Sequence, residues 1–522
     1  MYCDRVRMNT DCDRLSSLSD DLINKILSYI ETKHAVKTSI LSSRWKNTLK
    51  SITHLDLCSD DVTSSTSLNE FTRVLSSRNN EIDLFSLKLS VRGGYIPGFV
   101  KIVVNYAFSH NVQKMTIIWL DEMPSSLKPS SLLMSQSLKD LTLIGCASIF
   151  NQSRIKSSLY LPSLTTLHLE NFIIKNENPG GLFSKCLNLK NLTLSNCDIN
   201  DHDPLISHSE FSNLSNRNNE IELSSVKLSV GRYKQAFVKT VVDYAFSHNV
   251  QKLTIIWVDE WRFEIPNFLF TSQSLKDLTL IGSSRYDCKI KSSLDLPALT
   301  TLHLENFTLS NKNPDECGGV FFKCLNLKNL TLFECSIDDP KHLVCHSEFS
   351  KLTPETGLFS SANVVVPHLK NLIVYNCGGY IEIYAPELSS LVYEVSCYEN
   401  FNGNSLSCLE KVDFFMCPLE DDGDYVVEIL QQFHNVKYLT LGLEILEVAS
   451  FVDEVSNVPS PFGKLTSLKI YPRRLERKKN VKKVKIPKQV RNFLLGASPN
   501  ATVSIYSREE WKHLRMPHQH YE

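Results

Sequence analysis

Residues 135–145 read SQSLKDLTLIG, and residues 272–282 read SQSLKDLTLIG again. Each holds a Leu-x-x-Leu-x-Leu string: Leu138, Leu141 and Leu143 in the first, Leu275, Leu278 and Leu280 in the second. Side chains alternate along a strand, so the last two leucines share one face and the residue between them takes the other. One such coil cannot bury its leucines alone, whereas stacked coils bury them against each other.

Working outward, the same string recurs. Clear copies are Leu164-Leu167-Leu169-Phe172 and Leu189-Leu192-Leu194-Cys197, with a weaker one at Val112-Met115-Ile117. Starts at 112, 138, 164 and 189 lie 26, 26 and 25 residues apart, inside the roughly 20–29 of leucine-rich repeats. More copies begin at Leu84, Leu223, Val250, Leu299, Leu327, Leu369, Leu388, Leu409, Val436 and Leu465, and a doubtful one at Ile52. Helical patterns intervene, as in 99–108 and 425–433. The fold class that follows is an α/β leucine-rich-repeat solenoid over residues 69–472, with parallel strands on its concave face. Some fifteen strands about 4.8 Å apart give an inner arc on the order of 70 Å.

Part of this array is a tandem duplication, about 70–207 and 208–345. FVKIVVNYAFSHNVQKMTIIWLDE (99–122) and FVKTVVDYAFSHNVQKLTIIWVDE (237–260) differ at four positions. LTTLHLENF recurs at 164–172 and 299–307, and KCLNLKNLTL at 185–194 and 323–332. Repeat arrays accept such copying because each coil touches only its neighbours.

Patterns for catalysis are absent: no phosphate-cradling glycine loop, no G-x-S-x-G elbow, no H-E-x-x-H. The expectation is a chain that is not an enzyme and takes no cofactor or metal. Cys146, Cys197, Cys335, Cys377 and Cys417 fall one per coil, in none of the paired spacings of a metal site. His168 with Glu170, and their repeats His303 and Glu305, point from strands toward the concave face. With Tyr375 and Phe415 they are the candidate contacts for a target protein. Threonines beside aliphatic and aromatic groups on those rows suit protein contact more than sugar or phosphate.

At the other end, residues 18–30, LSDDLINKILSYI, carry Leu22, Ile23, Ile26, Leu27 and Ile30 at helical spacing. Ser19 suits an N-cap, and Asp20 and Asp21 suit the positive end of the helix dipole. A second apolar pattern follows through Ala35, Val36, Ile40, Leu41, Trp45 and Leu49. This gives a small all-α module over 11–57, then a polar linker over 58–68.

Residues 13–47, DRLSSLSDDLINKILSYIETKHAVKTSILSSRWKN, resemble a plant F-box. The carrying positions include Asp13-Arg14-Leu15, Leu18, Asp21, Ile26-Leu27, Ala35-Val36, Leu41-Ser42 and Arg44-Trp45. Ser19 stands where the family usually has proline. Residues 484–510, VKIPKQVRNFLLGASPNATVSIYSREE, are similar to the C-terminal part of plant F-box/leucine-rich-repeat proteins of the FBD type. A basic segment and FBD-like cap then occupy 473–522.

The resemblance implies a substrate-recognition subunit of an SCF-type ubiquitin ligase. Its F-box would dock a Skp-type adaptor, and through it a cullin, while the repeats hold a target protein. The carried-over adaptor contacts are Leu15, Leu18, Ser19, Ile26, Leu27, Leu41 and Trp45, some of which must instead form the module's own core. The alternative is a repeat scaffold or decoy that no longer docks, which Ser19 favours. A receptor assisted by a small acid ranks lower, since the outward strand rows show no basic cluster.

The 522 residues carry 56 Lys+Arg against 57 Asp+Glu, a net charge of −1. Such balance gives no global pull toward nucleic acid or an anionic membrane. The basic run 473–491, with ten cations, lacks the interleaved aromatics of an RNA surface. No apolar run reaches the ~20 residues of a spanning helix. The opening MYCDRVRMNTDCDR lacks the apolar core of a secretory signal. Cytoplasm and/or nucleus is the expected location, with the fifteen cysteines as free thiols.

Overall fold

A computed structural model describes residues 18–506 apart from 39, 41, 63, 93–97, 122–133, 147–152, 156–158, 175–185, 200–222, 232–234, 259–264, 266, 285–287, 292, 310–319, 322, 338–363, 379–380, 396–400, 403–405, 417–421, 453–454, 456–457 and 472–485. The chain divides into two compact units, Met1–Val250 and Gln251–Glu522.

The first unit opens with three short helices: α1, Asp20–Leu27; α2, Thr32–Thr38; and α3, Ser43–Leu49. Ser19 starts α1 as expected, its Oγ accepting the Leu22 N–H at 3.4 Å. Ser42 does the same for α3, accepting the Trp45 N–H at 3.3 Å. Each cap satisfies one of the N–H groups that a helix start leaves without a partner. Asp20 binds the Arg44 guanidinium at 2.7 Å and ties α1 to α3. Ile23, Leu27, Ala35 and Trp45 form the shared core.

Strand formation begins earlier than the sequence suggested. His54–Cys58, inside the stretch assigned to the helical module, is a strand in register with Ser86–Val91. The doubtful coil at Ile52 is therefore a full one. The expected linker is ordered too. Ser59–Asp61 makes a 3-10 turn, and Ser64 and Ser67 cap each other reciprocally at the start of α4, Ser65–Ser76. Serine and aspartate read as linker by composition, yet both are helix-start residues. Asp61 pairs with Lys33, and the Thr32 hydroxyl accepts the Asp56 N–H at 2.9 Å. Buried Arg78 donates to the carbonyls of Ile52 (2.7 Å) and Asp83 (3.0 Å). The helical module is thus welded to the first coil.

The sheet of this unit continues in parallel through Lys114–Trp119, Asp140–Ile144, Thr166–Glu170, Asn191–Ser195 and Ser225–Val230. The second unit stacks Lys252–Trp257, Asp277–Ile281, Thr301–Glu305, Asn329–Phe333, Asn371–Tyr375, Ser390–Val395, Lys411–Met416, Tyr438–Gly442, Ser467–Tyr471 and Thr502–Ile505 in the same way. Leucine pairs of the repeated string are buried throughout: Leu141 and Leu143, Leu167 and Leu169, Leu302 and Leu304, Leu330 and Leu332 are all at most 1 % exposed. Burying each is worth ~1.5–3 kcal/mol, obtainable only with a neighbour in place.

Register is set by a backbone device repeated at many of the strand starts. The N–H groups of Lys139 and Asp140 both donate to the Gln113 carbonyl, at 2.8 and 3.0 Å. Those of Lys328 and Asn329 share the Thr300 carbonyl, and those of Lys370 and Asn371 share that of Lys328. A one-residue slip would turn every leucine outward.

At the strand ends the chain turns through left-handed residues: Asn171 (φ 60°), Asn196 (48°), Asn306 (60°), Glu334 (50°) and Asn376 (48°). Asparagine tolerates this region because its short amide bonds locally. Asn171 Nδ2 donates to the Gly145 carbonyl at 3.0 Å, and Asn306 Nδ2 to that of Gly282 at 3.1 Å. The next residue turns inward. Cys197, Cys335 and Cys377 lie buried there, their thiols 3.4 Å from the carbonyls of Leu169, Leu304 and Leu332 of the preceding coil. Burial pushes the Cys197 thiol up to about 12 and holds Cys335 well above the ordinary thiol range. These cysteines are internal rungs; Cys417 lies outside the described residues. Helix Lys488–Leu495 and strand Thr502–Ile505 end the second unit's sheet, where the FBD-like cap was expected. No helix among the described residues is long and apolar enough to cross a membrane.

Candidate functional site

The helical module separates the carried-over residues into two groups. Leu27 is 0 % and Trp45 3 % exposed, so both belong to the core. Their apolar spacing was read correctly, but burial removes them from any docking surface. Ile26 is 40 % exposed, Ser19 is exposed and Leu18 is half-buried. Leu15 and Leu41 lie outside the described residues.

The carried-over set also left out side chains that are open on this module. Leu22 is 49 % and Tyr29 79 % exposed. Leu22 and Ile26 stand at i and i+4 on α1, and Tyr29 follows just beyond its end. Ile40, after α2, is 87 % exposed. An amphipathic helix on a globular module buries one stripe and shows polar groups elsewhere. Here Ile23 and Leu27 are buried while a second apolar stripe stays open. The signal was present in the sequence as an apolar band too wide for one face.

Ser19 sits at φ −65°, ψ 155°. That φ is the value proline locks, so the backbone already has the shape the family's usual proline would impose.

The second region is the sheet face. The middle residues of the strands form a row: Thr116, Thr142, His168 and Thr193 in the first unit, Thr254, Thr279, His303, Thr331 and Ile373 in the second. His168 Nε2 lies 3.6 Å from Glu170 Oε2, and His303 Nε2 3.4 Å from Glu305 Oε2. Burial lowers the His168 pKa from its ordinary value, opposed by the Glu170 carboxylate and aided by the Lys227 ammonium. No group of three or more His, Cys, Asp or Glu able to hold a metal occurs among the described residues. The pairs supply hydrogen-bonding polarity.

Two strand positions further on lies an aromatic row confined to the second unit. Phe333 and Tyr375 stack with centroids 4.4 Å apart and planes 4° from parallel. Phe415 approaches Tyr471 at 6.1 Å, and Tyr471 stacks on Tyr506 at 4.7 Å. Between those two rings Tyr471 is only 6 % exposed, and Thr440 of the middle row is 7 % exposed. Neither is the open outward group that alternation led us to expect.

At the opposite end of the strands stands a row the sequence reading passed over. Lys139, Lys190, Lys276, Lys328 and Lys370 each precede a strand, and all are exposed. A helix-free Leu-Lys-x-Leu string gave no reason to group them. Within each unit, stacking brings them to the same end of the strands.

Comparison with known proteins finds two matching families. The F-box domain family matches residues 15–55, and the family described as FBD-associated F-box protein At5g56370, LRR repeats, matches 103–222. Among curated proteins of Arabidopsis thaliana, the F-box/FBD/LRR-repeat protein At3g52680 is 32 % identical over 208 residues, covering 38 % of this chain and 43 % of that protein. FBD-associated F-box protein At3g52670 is 30 % identical over 186 residues, covering 35 % and 43 %. Putative FBD-associated F-box protein At5g56700 is 32 % identical over 183 residues, covering 35 % and 45 %. The chain thus spans less than half the length of these relatives. With an F-box at residues 15–55 and FBD-associated leucine-rich repeats at 103–222, the chain resembles the plant F-box/FBD/LRR-repeat proteins.

Proposed function

We propose that this chain is the substrate-recognition subunit of an SCF-type ubiquitin ligase, acting in the cytoplasm or nucleus. The F-box helices dock a Skp-type adaptor, and through it a cullin. The repeats hold a target protein for ubiquitination. The chain supplies no catalytic residue; its contribution is positional, raising the effective concentration of target lysines at the charged ubiquitin carrier.

The observation that carries this reading is the open apolar stripe of Leu22, Ile26 and Tyr29 on and just after α1, with Ile40 exposed after α2, in a segment that matches an F-box. Such a stripe on so small a module is the mark of a protein contact. The scaffold or decoy alternative rested on Ser19, and the proline-like φ of that residue weakens it.

The test is capture of the purified full chain by a plant Skp-type adaptor. Leu22→Glu with Ile26→Glu should abolish capture while leaving the thermal unfolding of the chain in place. A folded wild-type chain that does not bind would refute the ligase reading and leave the scaffold or decoy.

A further inference from the structure

The strands Asn329–Phe333 and Asn371–Tyr375 lie side by side in register, and together they form a tract with two chemically different ends. At the start, Lys328 and Lys370 are backbone neighbours, the Lys370 N–H donating to the Lys328 carbonyl at 2.9 Å. Both ammonium groups are exposed, and no carboxylate among the described residues lies within ion-pair distance of either. Next come Asn329 and Asn371, whose amides bond each other at 2.7 Å. Thr331 and Ile373 follow. The tract ends at the Phe333–Tyr375 stack.

Two like charges on strands about 4.8 Å apart repel, and no carboxylate among the described residues lies within ion-pair distance to offset the repulsion. In the same unit Lys437 binds Glu410 at 2.7 Å, whereas Lys276, like Lys328 and Lys370, has no carboxylate within ion-pair distance among the described residues. From Lys328 to Phe333 the strand advances ~16 Å. The floor between carries no carboxylate, and Glu305 and Glu394, the strand partners of Phe333 and Tyr375, stand at the aromatic end, away from the two lysines.

We propose that this tract binds an acidic segment of a partner protein: two neighbouring carboxylates on Lys328 and Lys370, and an apolar side chain about five residues further along on the Phe333–Tyr375 pair. The inference rests on the target-receptor reading and names the target's chemistry. A nucleic acid suits the tract less well. Its bases need an aromatic face to enter between or lie upon, and these two rings already close on each other at 4.4 Å.

The probe is the fluorescein-labelled peptide Asp-Glu-Gly-Ser-Gly-Ser-Leu-Trp, titrated into the full chain by anisotropy. Binding should weaken about tenfold or more on Lys328→Glu with Lys370→Glu, and by a similar factor on Phe333→Ser. Lys190→Glu, at the matching place of the first unit, should change nothing. Affinity should fall as salt rises from about 50 to about 300 mM. Each variant is compared with wild type by thermal unfolding, and the Asn-Gln version of the peptide serves as the uncharged control. Binding that is absent, indifferent to the two lysines or equal for the uncharged peptide would overturn the proposal. So would displacement of the peptide by an oligouridylate that itself needs Lys328 and Lys370. Adaptor capture is measured on the same preparations. Capture without peptide binding refutes this inference alone, and peptide binding without capture refutes the ligase reading alone.

Discussion

The coils that end the two copies of the duplicated block share their cores and differ on their faces and in what stands beside them. In the first unit, Asn191–Ser195, which ends the first copy, and Ser225–Val230, which opens the second, present Lys190 and Ser224, Asn191 and Ser225, Thr193 and Lys227, then Ser195 and Ser229. In the second unit, Asn329–Phe333, which ends the second copy, and Asn371–Tyr375, which follows beyond the duplication, present Lys328 and Lys370, Asn329 and Asn371, Thr331 and Ile373, then Phe333 and Tyr375. Beneath, Leu192 and Leu194 match Leu330 and Leu332, all buried. The lesson is that the inner positions are held by stacking, which any coil must satisfy, while outward positions answer only to whatever they touch.

If the inner positions are truly equivalent, Leu167→Ala and Leu302→Ala should each cost about 3 kcal/mol, since both side chains are fully buried. Hydrogen exchange of the flanking strands would show the loss in each unit. A cost differing by more than about 2 kcal/mol between them would break the equivalence.

The outward positions should behave unequally. Phe333→Ser installs the first copy's residue and loses the stack on Tyr375, at about 1 kcal/mol. Ser195→Phe should gain no matching stabilisation, because its neighbour on the next strand is Ser229. Thermal unfolding of the pair of variants decides this.

The turns sharpen the contrast by a smaller amount. Asn196 and Glu334 occupy the same place, at φ 48° and 50°. Glutamate lacks asparagine's tolerance of this region, so Glu334→Asn should stabilise by about 0.5–1 kcal/mol and Asn196→Glu should destabilise by a similar amount. Urea midpoints of the two variants would move in opposite directions, and movement in the same direction would sink the argument.

The smallest effect is one of pH. Burial, with Lys227 in support, holds the folded-state pKa of His168 below its unfolded 6.5. The unfolded chain therefore binds the proton more readily, and stability is full above pH 6.5 and declines as pH falls through the folded value. His168→Gln should flatten that decline in the melting temperature between about pH 7 and 5. A slope unchanged by the substitution would place the titration elsewhere.

Much of this was legible in the residues. The Leu-x-x-Leu-x-Leu spacing located the strands, including the weak copy at Val112, because a period-two strand within a fixed repeat leaves little freedom. Ser19 as a cap was legible for a similar local reason. The expected linker was not, because serine and aspartate favour helix starts and loops alike. Ser64 became a cap only because α4 had a surface to follow. The adaptor candidates divided in a way spacing could not anticipate: Leu27 and Trp45 face inward, and Leu22, Ile26 and Tyr29 outward, according to where α3 packs.

By itself the sequence determined the coil, its repeat, its duplication and the side of each strand that is buried. Those follow from alternation and from leucine's need to leave water, and they act over a few residues. Only the tertiary structure decided which groups from different coils become neighbours. Lys328 and Lys370 are 42 positions apart in the chain, as are Phe333 and Tyr375, and parallel stacking sets them about 4.8 Å from each other across adjacent strands. A surface assembled across coils has no local signature, because the force that places its members is the burial of the leucines beneath them.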